Sequence, residues 1–361
     1  MTYLDANATE PLRPAARAAL LAALAVTGNP ASVHAAGRAA RAVLEGAREA
    51  IATRLGAAPA NIVFTSGGTE ADALAVHALG AGRRLIIGAT EHDAIRAACP
   101  DAAVLPVDGA GVADLDRLRT LLADGAALVC LMLANNETGV LHPIREAARL
   151  CRSAGALLHV DAVQAAGRMA IDLAELGADS LAIASHKLGG PAGAGALILG
   201  ADSARRMRPL IAGGGQERGR RGGTPAVATI AGFAAALDAT GDCDGVRALR
   251  EAAEQAAIAC GAIAIAAAAP RLGNTTCLAL PGVRADTQVI ALDLAGIAVS
   301  AGAACSSGKV ARSHVLDAMG LGALAGEAIR VSLPWNATAA DIAAFAAAYR
   351  AMAERLLRRA A

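Results

Sequence analysis

The sequence predicts an α/β protein with a mainly parallel sheet covered by helices on both faces, followed by a smaller α+β portion. From about residue 61 to 200, short continuous apolar runs alternate with amphipathic segments. This is the pattern of strands buried on both faces and joined by crossover helices. After about residue 240 the runs become weaker strands mixed with helices. With 361 residues the chain is long enough for a sizeable core and two domains.

The elements follow in order. Asn61-Ile62-Val63-Phe64-Thr65 reads as a strand, and after Gly67-Gly68 a helix begins at Thr69, with Thr69 as its expected N-cap. Arg84 to Ile87, Leu128 to Leu133, Ala156 to Val160, Ser180 to Ile183 and Ala196 to Leu199 are further strands. In the second portion, a helix near Val246 to Cys260 precedes weak strands at Ile263 and Thr275 to Leu280. A helix near Asp286 to Leu294, a strand near Ile329 to Leu333 and a final helix from about Ala339 to Arg358 complete it.

Composition narrows the function. Lys plus Arg total 33 and Asp plus Glu 32, so bulk charge points to no nucleic-acid partner. The hydrophobic content of 55% is largely alanine, which favours helix and contributes little burial per residue. The most apolar stretch, Ala256 to Ala269, ends at Pro270 and is too short to cross a membrane. Met1 to Asp5 has neither a basic region nor an apolar signal core, so a cytoplasmic location is expected. The seven cysteines (99, 130, 151, 243, 260, 277 and 305) form no C-x-x-C pair. No metal site is expected, and reduced thiols are.

Five constellations can carry chemistry. In Thr65 to Glu70, a strand, a glycine turn and a helix start make an anion site, though an ordinary capped helix reads the same way. Asp161, in His159 to Gln164, ends an apolar strand, where a carboxylate needs a partner. It can pair with a protonated pyridine ring or cap a helix. Lys187, in Ser185 to Pro191, follows another apolar strand. Inside a cleft its amine would form an imine with an aldehyde; on a surface loop it would only be solvated. The Gly- and Arg-rich run Gly213 to Thr224 suits backbone approach to a phosphate, or a solvated loop. Cys305 sits among small residues beside Lys309, where an exposed thiol becomes a nucleophile, or is incidental.

Singly these motifs are weak, but their order and spacing are not. The chain resembles the class V aminotransferase-like group of fold-type I enzymes dependent on pyridoxal 5'-phosphate (PLP). Within that group it looks like the cysteine desulfurases of iron–sulfur cluster assembly, in the subgroup with a long mobile cysteine loop. The resemblance runs nearly end to end, through Tyr3 to Thr9, Gly28 to His34, Thr65 to Glu70, Glu91-His92, Asn135 to Gly139, His159 to Gln164, Ser185 to Gly195, Gly213 to Thr224, Ala303 to Gly308 and Ile329 to Ser332. The Ala-Cys-Ser-Ser-Gly run is its most specific piece.

The resemblance implies a large PLP-binding domain with a seven-stranded-type sheet over residues 13–240. A small domain of residues 1–12 with 241–361 would carry the cysteine loop. Lys187 would hold PLP as an imine, and Asp161 would pair with the ring nitrogen. Gly68, Thr69, His186 and Thr224 would contact the phosphate, Thr224 from the partner of a homodimer. Ser185 joins the cofactor contacts, beside an Ala184 that stands where the family carries serine. Gln164 and Asn136 would approach the ring hydroxyl, and His92 would stack on the ring and transfer protons. Arg330 would clamp the substrate carboxylate, a bidentate task for guanidinium, with Asn136 and Asn7 lining the same region. Cys305 would take sulfur from L-cysteine as a persulfide, releasing alanine, and pass it to an acceptor such as an iron–sulfur scaffold or other thio-cofactor route.

Departures from the family pattern include Ala73, Ala192 and Pro334-Trp335-Asn336. The alternatives are a selenocysteine lyase or a class V aminotransferase on the same fold. An alternative of another class is a non-catalytic binding or regulatory subunit, against which the presence of Lys187 and Asp161 speaks.

Overall fold

The computed structural model describes residues 1–241, 244–302 and 312–360. After a short first strand, β1 (Thr2–Tyr3), come the seven strands of the larger sheet. These are β2 (Ile62–Thr65), β3 (Arg84–Gly88), β4 (Ala103–Leu105), β5 (Ala127–Cys130), β6 (Leu157–Asp161), β7 (Ser180–Ala184) and β8 (Gly195–Leu199). They lie in the order β2-β8-β7-β6-β5-β3-β4. The pairs β3–β4, β3–β5, β5–β6 and β6–β7 are parallel, and β8 runs antiparallel between β7 and β2.

The mainly parallel sheet is thus as the sequence predicts, and its strands are apolar because both faces are covered. Ile86, Val129, Leu158, Val160, Leu181, Ile183 and Ile198 are all fully buried in one core. Each such side chain contributes about 1.5–3 kcal/mol relative to exposure. Sequence reading misses β4, a three-residue edge strand with no pattern to register. The expected strand through Leu133 ends at Cys130, although Leu131 and Leu133 still donate to the carbonyls of His159 and Asp161.

The remaining strands are β9 (Ile263–Ile265), β10 (Thr275–Ala279), β11 (Ile297–Ala298), β12 (Ser300–Ala301) and β13 (Ala328–Ser332). Four form a second sheet in the order β12-β13-β10-β9, and β11 pairs with β1. A second core gathers Leu4 with Leu278, Leu292, Ile329, Val331, Phe345 and Tyr349. The N-terminal residues therefore pack with the C-terminal third of the chain.

Topology places the site. β3, β5, β6 and β7 run in one direction, and their carboxyl ends lead into Glu91-His92, Met132 to Asn136, Ala162 to Gln164 and Ser185 to Lys187. Ligands of open parallel sheets bind beyond the carboxyl ends of the strands. Across from them, β13 carries Arg330, and Ser300 on β12 pairs with it in register.

Candidate active site

A cleft of about 320 Å³ opens beyond these strand ends. Lys187, Asp161, His92, Gly68, Thr69, Asn136, Gln164, His186, Asn7 and Arg330 all line it. Residues up to 323 positions apart are thus brought to one place, from Asn7 to Arg330.

Lys187 lies on a single 3-10 turn after β7. Its Nζ donates to the carbonyls of Asn7 (2.6 Å) and Ala8 (3.0 Å), so the amine is aimed across the cleft at the N-terminal segment. That segment is itself fixed. Asn7 donates from Nδ2 to the Asn136 carbonyl (3.0 Å) and to Thr275 Oγ1 (2.9 Å), and Gln164 Nε2 donates to the Asn7 carbonyl (3.1 Å). Lys187 is also one of only two lysines in the chain, the other being Lys309.

Asp161 forms the floor. It is 7% exposed, and its Oδ1 accepts the Val163 N–H at 2.8 Å. That bond closes a turn where the sequence also allowed a capped helix, which does not form, and among the described residues no Lys or Arg pairs with the carboxylate. Burial, reinforced by Asp72, pushes its pKa up to about 7. A buried carboxylate without a cation partner suits a ligand that brings one.

Asp72 was not singled out from the sequence, yet it lines the same cleft and is buried, with its pKa also raised to about 7 by desolvation. Its Oδ1 meets His159 Nε2 at 3.1 Å, and His159 Nδ1 meets Ser180 Oγ at 2.8 Å. Burial lowers the His159 pKa to about 4, so this is a hydrogen bond of a neutral imidazole rather than an ion pair. His159 and Asp161 are two apart on one strand and face the same side. Behind them Glu91 accepts the Met132 N–H at 2.6 Å, and desolvation raises its pKa well above the carboxylate range.

The anion end is the start of the helix Gly68–Leu79. Its N-cap is Gly67, not the expected Thr69, which lies in the first turn instead. A Cβ at Gly68 would stand 2.7 Å from Val163 Cγ2, so only glycine lets this helix start approach the strand end so closely. His186 lies beside it, its pKa lowered to about 4 by burial and by Lys187. His92 caps the helix Asp93–Ala98, accepting the Ala94 N–H on Nδ1 (3.1 Å). A neutral His92 therefore carries its proton on Nε2.

Arg330 is 3% exposed. Its Nη2 donates to Asp5 Oδ1 at 2.6 Å and its Nη1 to the Asn136 carbonyl at 3.2 Å. Its buried Nε has no partner. The guanidinium is thus held rigid at the cleft wall with a counter-ion already in place.

Three expectations fall elsewhere. Ser185 is wholly buried, its Oγ lacks a partner, and it does not line the cleft; the wall at that point is Ala184. The Gly- and Arg-rich run packs against its own chain. Glu217 accepts both Nη1 and Nη2 of Arg48 at 2.8 Å and the Phe64 N–H at 2.9 Å, while Arg221 Nε donates to Glu70 at 2.8 Å. Thr224 lines a separate hollow with Phe64, Ser66 and Arg221. Cys305 lies outside the described residues.

An imine-forming amine, a buried carboxylate needing a cation, a helix start open to an anion and a fixed guanidinium together suit PLP and an amino acid. The class-V aminotransferase family model matches residues 2–345, and the chain belongs to that family. Curated relatives 36–43% identical to this chain are cysteine desulfurases. The chain is 43% identical to the cysteine desulfurase of Cereibacter sphaeroides, with 94% of this chain and 92% of that one aligned. It is 39% identical to the cysteine desulfurase NifS of Azotobacter vinelandii, over 88% of this chain and 83% of that one. The X-ray structure of a NifS-like protein from Rickettsia africae ESF-5 superposes with a TM-score of 0.91 at 35% identity, covering 98% of this chain and 99% of that chain. The protein is a PLP-dependent enzyme of fold-type I.

Proposed function

We propose that the enzyme is a cysteine desulfurase that converts L-cysteine to L-alanine and captures the sulfur as a persulfide on Cys305. The carrying observation is that Lys187, Asp161 and Arg330 converge on one cleft, which Ser300 also lines, five positions before Cys305 in sequence. The activity named for the 36–43% identical relatives supports the reading.

PLP, when bound, supplies the electron sink that weakens bonds around the substrate's α-carbon. This chain's residues supply the rest. Lys187 Nζ is the amine for the cofactor's aldehyde. Asp161 would hold a protonated ring nitrogen, and Gly68, Thr69 and His186 would receive the phosphate. Gln164 and Asn136 would orient the ring, and His92 would cover it and carry a proton on Nε2. Arg330 would bind the substrate carboxylate, with Asn7 fixing the wall beside it. The Cys305 thiolate forms an S–S bond to the substrate sulfur as the C–S bond breaks. That bond's electron pair stays on carbon, which takes a proton, so alanine leaves and the sulfur is carried as a persulfide.

The reading includes a homodimer in which Thr224 completes the phosphate site of the partner. Its support is that Thr224 does not reach its own cleft. It also includes division into a large domain, residues 13–240, and a small one, residues 1–12 with 241–361. The sulfur acceptor is an iron–sulfur scaffold or another thio-cofactor protein. Among the described residues five cysteines are free thiols, and no helix is long and apolar enough to cross a membrane. Free thiols fit a reducing compartment such as the cytoplasm.

The test is to incubate the PLP-loaded enzyme with L-cysteine and a thiol acceptor and to quantify alanine. Equimolar alanine and transferable sulfur are expected, with both lost in Cys305→Ala. Full turnover by Cys305→Ala would overturn the persulfide route.

A further inference from the structure

Glu137 is 2% exposed and has no role in the site as described so far. It is mounted on a rigid turn: Asn135 Oδ1 accepts the N–H groups of Glu137 (3.0 Å) and Thr138 (2.9 Å) and the Thr138 hydroxyl (3.1 Å). Its carboxyl points not at the cleft but at the two chain ends that flank the Cys305 segment. On the upstream side, a Cβ placed on Gly302 would lie 2.2 Å from Glu137 Oε2, so the backbone passes in direct contact with the carboxyl. On the downstream side, Ser313 Oγ donates to the same Oε2 at 2.6 Å. That serine is also the N-cap of the helix His314–Ala318, accepting the Leu316 N–H. One oxygen atom therefore meets both ends of the intervening stretch.

The same turn is tied to the substrate wall. Asn136, next to Glu137, offers its carbonyl to Arg330 Nη1 and to Asn7 Nδ2. Ser300, two residues before Gly302, is in register with Arg330. His314, next to Ser313, bonds through Nε2 to the Glu91 carbonyl at 3.1 Å, one residue from His92. Desolvation raises the Glu137 pKa, opposed by Ser313 and Arg330.

We infer that Glu137 is a positioning residue for the capture of sulfur, tying Gly302 and Ser313, described residues on either side of the stretch that contains Cys305, to the Asn135–Thr138 turn. The inference rests on the desulfurase reading above and assigns its second half, capture of sulfur, a dedicated anchor. Small displacements of a reacting group cost up to about a hundredfold in rate, so loosening both ends should be visible.

The experiment uses the PLP-loaded enzyme and two readouts in a single turnover with L-cysteine. One is the substrate-induced change in cofactor absorbance, which reads binding. The other is persulfide on Cys305, located by mass spectrometry after alkylation. Glu137→Ala is expected to slow persulfide formation about tenfold or more, with the concentration dependence of the absorbance change unmoved. Glu137→Gln keeps an oxygen acceptor for Ser313 and is expected to stay near wild type. Gly302→Ala, which drives a methyl into Glu137, is expected to reproduce the selective loss, and serves if Glu137→Ala does not fold. Persulfide formation at the wild-type rate in Glu137→Ala or Gly302→Ala would overturn the inference. So would equal loss in Glu137→Gln, or a parallel loss of the binding signal. Wild-type enzyme that makes alanine without persulfide on Cys305 would instead remove the desulfurase reading on which it rests.

Discussion

Arg330 shows what burial does to a single charge. It sits 3% exposed between Asp5 and the Asn136 carbonyl, so its position is set before substrate arrives. Removing it leaves Asp5 without its partner and the substrate carboxylate without its clamp. Arg330→Ala should lower kcat/KM by about 2–5 kcal/mol, mostly through KM. Steady-state kinetics with L-cysteine check this, and a loss confined to kcat would contradict the assignment. Lys187 and Asp161 were legible in the sequence because each is a charged residue at the end of an apolar strand, whereas Arg330 came only from the family resemblance. Asp72 was not, because a helix interior gives a carboxylate no such contrast. Ser185 misled because neighbours on a strand end point to opposite sides, and Ala184 takes the inward one.

At the scale of elements, the helix Gly68–Leu79 does two things. Its first turn offers N–H groups at the anion end, and Asp72 one turn later bonds it to His159 on β6. Gly68→Ala would push the helix start off Val163, and PLP affinity of the cofactor-free protein should fall at least about tenfold. A fluorescence titration with PLP reads this; unchanged affinity would mean the close approach is unimportant. Asp72 and Asp161 have folded pKa values raised to about 7. A raised acid pKa favours the folded state while the group is protonated, so this contribution is complete below about pH 4 and is lost as pH rises toward about 7. Cofactor-free Asp72→Asn should therefore gain stability relative to wild type between about pH 5 and about pH 8. Urea midpoints at both ends of that range test it, and a difference that does not change with pH would contradict it. The strands of this layer were readable because burial on both faces makes them continuously apolar. β4, β11 and β12 were not, since two or three residues carry no period.

Over the whole molecule, the parallel sheet collects the ends of four strands on one side, and the second sheet brings Arg330 and Ser300 opposite. One protomer leaves Thr224 in a separate hollow. If Thr224 acts across a two-fold axis, co-expressed Lys187→Ala and Thr224→Ala chains should form mixed dimers with activity that neither parent has. Mixed dimers as weak as both parents would place Thr224 outside the site. In the sequence only the family resemblance points to this, because a residue that would work on a second copy has no partner within its own chain.

Lys187 is the amine proposed to hold PLP. The chain has only two lysines, Lys187 and Lys309, so the outcome is nearly binary. The purified yellow protein is reduced with borohydride, digested and mapped by mass spectrometry. The account predicts the phosphopyridoxyl group on Lys187 and loss of the visible absorbance band. A label on Lys309, or a protein that takes up PLP and leaves both lysines unlabelled, would contradict it.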